Sequence, residues 1–159
     1  MTDDSTRKVA ELLSDQRLAM LTTHAADGTL TSRPMALQEV EFDGDLWFFA
    51  ETSSSLVAQI GVNPHVGVTL SSSDTWISID GDAEVVDDRA KAKDLWNAWV
   101  EAWLPQGPED AGVALIYVDS ESAEYWDTPG GRVASVFSFV KAKATGEAYD
   151  GAEVKKLDL

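Results

Sequence analysis

The sequence predicts a mainly β (α+β) fold, a small antiparallel barrel with peripheral helices. Three observations lead there. Six or seven short segments of strand character follow one another, several joined by tight turns such as AADG (25–28) and Asp43-Gly44. Helical patterns interrupt these strands rather than alternating with them, which argues against a doubly wound parallel sheet. The chain has 159 residues, of which 44% are hydrophobic, enough for the core of one domain. Closing the sheet on itself would also deal with exposed strand edges.

Each element has a local reason. Residues 5–17 read as a helix with Ser5 as cap and Val9, Leu12 and Leu13 as its apolar stripe. LAMLTTH (18–24) and TLTSRPMALQEVEF (29–42) read as a hairpin, and DLWFFA (45–50) as the third strand of a meander. TSSSLVAQIGVNP (52–64) is helical by pattern, with Leu56, Val57 and Ile60 as its stripe and Asn63-Pro64 as its stop. HVGVTLS (65–71) and TWISIDGDAEVV (75–86) are two further strands, the second with a bend or bulge at Gly81. Residues 87–103 read as one long helix, whose apolar face of Leu95, Trp96, Trp99, Val100 and Trp103 is assigned to the core. VALIYV (113–118) and AEYWD (123–127) read as two last strands, and 135–147 as a terminal helix or an extended arm. One domain is expected over 1–147, with a loose tail over 148–159.

Charge and composition narrow the function. Twenty-eight acidic against twelve basic residues give a net charge of −16. Nucleic acid and anionic membrane surfaces are therefore not expected partners. The absence of cysteine excludes disulfides, thiolate metal sites and cysteine catalysis. Two histidines, His24 and His65, are too few for a typical histidine metal site, and no metal is expected. Asp80, Asp82, Asp87 and Asp88 lack the alternating ligand pattern of a calcium loop and read as a solvated face. Apolar runs are too short to span a bilayer, and MTDDSTRK has no signal pattern, so a cytoplasmic location is expected.

Two segments stand out. Arg33-Pro34 interrupts a strand, and proline removes a ladder donor. One reading is an edge strand with a surface arginine. The other is a strand that stops pairing where a ligand approaches, with Arg33 offering a fixed fork to an anion. The second segment runs from strand to helix through Thr52, Ser53, Ser54 and Ser55. A single hydroxyl residue suffices as a cap. Four of them at a helix N-terminus suit a phosphate, because the free N–H groups and the dipole already favour an anion there.

RPMA, DLWFFA, the hydroxyl-rich helix start and NPHV, followed by ISIDGDAEVVDDRAKAKDLW, AWLPQGPEDAGVALIYV and SAEYWD, resemble the FMN-binding split barrels related to pyridoxamine 5′-phosphate oxidase, in their general stress protein 26 branch. The resemblance covers roughly residues 5–150. It implies a six-stranded antiparallel split barrel that forms a homodimer, with FMN at the interface. It places Arg33 at the flavin phosphate or ribityl chain and Pro34 and Met35 beside the ring. Phe48, Phe49, Ala50 and Glu51 are then backbone and side-chain contacts to the ring, and Ser53 and Ser54 hold the phosphate. Trp126, in EYWD, resembles the tryptophan of the oxidase E-F-W motif and is expected to reach the cofactor of the second subunit. Trp103 and Arg132 are candidate substrate contacts, and no catalytic residue is assigned.

The chain departs from that pattern in two places. Leu56 stands where related proteins carry a phosphate-pairing lysine. A lysine restored there is expected to strengthen FMN binding, unless Leu56 belongs to the core stripe. Ala134 and Val136 stand where the oxidases have a histidine and a second arginine, so oxidation of pyridoxamine phosphate is not expected. The expected function is a flavin-dependent oxidoreductase. The alternatives are a flavin-binding module without turnover, a deazaflavin protein on the same barrel, and an acidic structural dimer that has lost its cofactor.

Overall fold

The computed structural model describes residues 3–14, 16–38, 42–127, 146 and 153–159. The chain runs α1 (Asp3–Leu13), β1 (Leu18–His24), β2 (Leu30–Ala36), β3 (Asp45–Glu51), α2 (Ser55–Val62), β4 (His65–Ser71), β5 (Thr75–Val86), α3 (Arg89–Leu95), α4 (Ala98–Trp103), β6 (Val113–Asp127) and β7 (Glu153–Asp158). All strand pairs are antiparallel, in the order β2-β1-β4-β5-β6-β3, and β7 pairs with the second half of β6. The two end strands, β2 and β3, approach each other without forming a ladder, so the sheet curls but does not close. This is an α+β split barrel: six strands in a curled path and a seventh laid on its side.

Strand alternation explains which face is which. On β1, Ala19, Leu21 and Thr23 are buried, while Leu18 and Met20 are exposed. β4 and the first half of β5 repeat that period of two. The first half of β6 is buried on both faces, because helices cover its outer side. Ile116 and Val118 face the barrel interior with Leu46 and Phe48. Val113 and Leu115 face a second cluster with Phe49, Ala92, Leu95, Val100 and Leu104. Helix α1 adds Val9 and Leu13 to the interior cluster, and α2 adds Leu56 and Ile60.

Gly81 carries the expected irregularity. The β5–β6 register shifts between Asp80 and Gly81, and a Cβ at Gly81 would lie 2.1 Å from the Asp119 carbonyl oxygen. Two backbones meet there too closely for any side chain. The bulge also lets β6 run unbroken from Val113 to Asp127, where the sequence suggested two strands.

Other expectations are corrected. The first helix starts at Asp3 and ends at Leu13, so Ser5 lies inside it rather than capping it. The helix expected over 87–103 is two helices broken at Trp96 and Asn97. The Asn97 side chain accepts from the N–H groups of Trp99 (3.0 Å) and Val100 (3.1 Å), restarting the helix as an N-cap. That break rotates the apolar stripe. Leu95, Val100 and Leu104 are buried, while Trp99 and Trp103 are each 76% exposed, against the core packing assigned to them. The tail read as loose forms β7 over Glu153–Asp158, paired with β6. The helix or arm expected over 135–147 lies outside the described residues, apart from Gly146.

Candidate functional site

The β1–β2 hairpin sets Arg33 opposite Leu21, on the inner side of the sheet and under α2. Nη1 of Arg33 donates to Thr23 Oγ1 (2.8 Å) and to the Leu21 carbonyl (3.4 Å), and Nη2 donates to Gln59 Oε1 (3.0 Å). The Thr23 hydroxyl, fully buried, donates to the same Gln59 oxygen (2.5 Å). Every partner of the guanidinium is neutral. Among the described residues no carboxylate lies within 4.0 Å of it, in a chain where acidic residues outnumber basic ones. Burial lowers the Arg33 pKa from its ordinary value, but an arginine remains charged throughout the working range. The result is a half-buried cation, rigidly held, with no counter-anion among the described residues.

Gln59 ties that cation to α2, whose start is the hydroxyl-rich turn. The Ser54 N–H donates to the Glu51 carbonyl (3.0 Å), and Ser54 Oγ caps the helix by accepting from the Val57 N–H (3.4 Å). The Thr52 N–H and hydroxyl donate to the carbonyls of Gly112 and Ala111, both at 2.9 Å. Ser53 and Ser55 are exposed. The first-turn amides of a helix have no intrahelical acceptor, so this end offers N–H donors and two exposed hydroxyls to an anion.

Of the remaining candidates, Pro34 and Met35 lie on β2 and Phe48, Phe49, Ala50 and Glu51 on β3, the two end strands of the sheet path. Pro34 sits on β2, an edge strand, opposite Met20, where a missing N–H is tolerated. Met35 packs against the interior cluster. The Phe48 ring is fully buried inside the barrel. The Phe49 ring is buried on the opposite face, edge-on to Trp96 with centroids 5.2 Å apart. Ala50 is buried and Glu51 exposed. A ligand at this strand therefore meets the backbone of 48–51 rather than the two rings. Trp126 is half-buried, opposite Trp76, and faces outward. Arg132, with Ala134 and Val136, lies outside the described residues.

Leu56 is 3% exposed and packed in the interior cluster with Ile60. It is a core residue, the case in which a lysine there is not expected to strengthen phosphate binding. The sequence reading also missed Thr23 and Gln59, the residues that hold Arg33. Thr23 had a signal: it occupies an inward position in the period set by Ala19 and Leu21, where a polar side chain needs a partner.

A cleft of about 350 Å³ lies between the end of α1, the start of β3 and the segment after β2, with Leu13, Arg17, Gln38, Phe42 and Trp47 among its walls. Neither Arg33 nor the serine turn lines it. At its edge the Tyr117 hydroxyl donates to Asp45 Oδ1 (2.8 Å). Burial raises the Asp45 pKa, and the bond to Asp45 raises that of Tyr117. Among the described residues no group of acidic or histidine side chains could hold a metal ion. His65 instead pairs with Asp82, Nδ1 to Oδ1 at 3.3 Å.

The family model described as "Pyridoxamine 5'-phosphate oxidase like" matches residues 4–150. The bli-3 protein of Neurospora crassa is 29% identical over 167 residues, covering 98% of this chain and 78% of that protein. A structure from Jannaschia sp. CCS1, named as a general stress protein 26, superposes with a TM-score of 0.80 at 24% identity, covering 99% of this chain and all of that one. A structure from Xanthomonas citri, named as a general stress FMN/FAD binding protein, is 32% identical with a TM-score of 0.67, covering 79% of this chain and 90% of that one. The chain belongs to the pyridoxamine 5′-phosphate oxidase-like family.

Proposed function

We propose that the protein binds FMN in the cytoplasm as a homodimer and serves as a flavin-dependent oxidoreductase. Its phosphate would be held by Arg33, Ser53, Ser54 and the first-turn amides of α2. Pro34, Met35 and the backbone of 48–51 would lie beside the ring, and Trp126 would come from the second subunit. The observation that carries this reading is the charge state of the site. Arg33 is a half-buried cation without a carboxylate partner among the described residues, fixed by Thr23 and Gln59 to a helix that begins in hydroxyls. The similarity to an FMN/FAD binding protein of Xanthomonas citri supports the cofactor class. When bound, FMN supplies the hydride or electron chemistry, and the chain supplies binding and orientation.

A binding module without turnover is the second reading. Both readings share the phosphate site, and Arg33→Ala tests it. A charge-assisted hydrogen bond is worth roughly 1.5–3 kcal/mol. FMN affinity should therefore fall about ten- to hundredfold in a fluorescence titration, while riboflavin, which lacks the phosphate, loses little. Equal losses for the two ligands would mean that Arg33 acts through the fold and not on the phosphate.

A further inference from the structure

The loop between α4 and β6 is gripped from two sides. On one side stands α3. Its first residue, Arg89, directs Nη1 at three backbone carbonyls: Pro108 (3.1 Å), Asp110 (3.2 Å) and Val113 (3.2 Å). Lys93, one turn further on, pairs with Glu109 at 2.5 Å. On the other side stands the turn into α2, where Thr52 holds the Ala111 and Gly112 carbonyls. The loop is stiffened between the two grips, because the Gly112 N–H donates to the Asp110 carboxylate (2.7 Å) and the Val113 N–H to the Asp110 carbonyl (3.1 Å). The grips thus act on interleaved peptide units of one short segment, and Thr52 directly precedes Ser53 and Ser54.

We infer that Arg89 is a positioning residue for the phosphate end of the flavin site, acting through the backbone of 108–113 on Thr52 and thereby on the serine turn and the start of α2. This rests on the phosphate reading above. Arg89 need not touch the ligand: its donors point at backbone carbonyls, and its Nε lies 3.8 Å from Asp87. Without it, three carbonyls lose a charged donor that draws them together. The peptide groups that Thr52 binds are then free to drift, and a small misplacement of a binding turn is costly.

The test uses Arg89→Ala and, as a milder variant expected to fold, Thr52→Val, which removes only the hydroxyl bond to Ala111. Two quantities are measured: amide hydrogen exchange in the peptide spanning 52–57, and the affinities for FMN and riboflavin. Exchange over 52–57 should quicken in both variants while β1 and β4 keep their wild-type rates. FMN affinity should fall about three- to tenfold, with riboflavin unchanged, and the double variant should be no worse than the poorer single one. Wild-type exchange in both variants, or equal losses for the two ligands, would overturn the inference. A wild-type protein that binds FMN no better than riboflavin overturns the phosphate reading itself, and Arg89's role in binding with it. A wild-type preference for FMN that survives in both variants overturns only the role of Arg89.

Discussion

Leu56 shows how much a single position decides. By its place after the serines it stands where the family resemblance implies a cation, yet its side chain packs in the interior cluster with Ile60. A lysine there must either bury an ammonium or swing out and leave a cavity. Leu56→Lys should therefore lower the unfolding free energy by about 2–5 kcal/mol, read from urea denaturation. A variant of wild-type stability that binds FMN more tightly, with a steeper salt dependence, would show that residue 56 turns toward the phosphate after all. Arg33 is the complementary case. Its neighbour Pro34 and its scarcity among the charges made it conspicuous in the sequence. Its holders were hidden, because Thr23 and Gln59 are 36 residues apart and meet only once α2 folds over the hairpin. A sequence shows a residue's type and period, but not which distant polar group shares its oxygen.

Elements were legible where their period was unambiguous. HVGVTLS alternates cleanly, while LAMLTTH alternates in burial rather than in residue type, and they form β4 and β1 at those bounds. Gly81 was legible as a bulge because an isolated glycine in a strand pattern has few other uses. Its substitution is a sharp test of the β5–β6 crossing. A methyl group there meets the Asp119 backbone, which cannot rotate away as a side chain could. Gly81→Ala should cost about 1–3 kcal/mol in denaturant unfolding, and a change below about 0.5 kcal/mol would mean that the bulge has slack. The helical segment 87–103 was misread for a physical reason. Trp96, Trp99 and Trp103 share one side of a continuous helix, and tryptophan is normally an inward residue. Asn97 competes with the helix by capping the next one, and the stripe Leu95, Val100 and Leu104 takes the core instead. The last strand, β7, was not legible at all. EVKKLD carries too much charge to read as a strand, and only pairing with the second half of β6 makes it one.

At the scale of the whole molecule, charge bears on association. A chain of net charge −16 repels its own copy over most of its surface. The outer face of β2, β1 and β4 is different, for its outward residues include no aspartate, glutamate, lysine or arginine. Leu18, Met20, Leu30 and Trp76 are exposed on that side of the sheet. Such a face in a chain with 25% charged residues is where a second copy can approach without like-charge cost. Trp126, opposite Trp76, lies on the same side. On the proposed reading, the flavin site is shared between two copies. Sedimentation velocity of the protein mixed with FMN, followed at the flavin's visible absorption, tests that account most directly. The account predicts that flavin travels with a species of twice the 17.2 kDa chain mass. Flavin left behind as free ligand, or carried by a species of single chain mass, would contradict it.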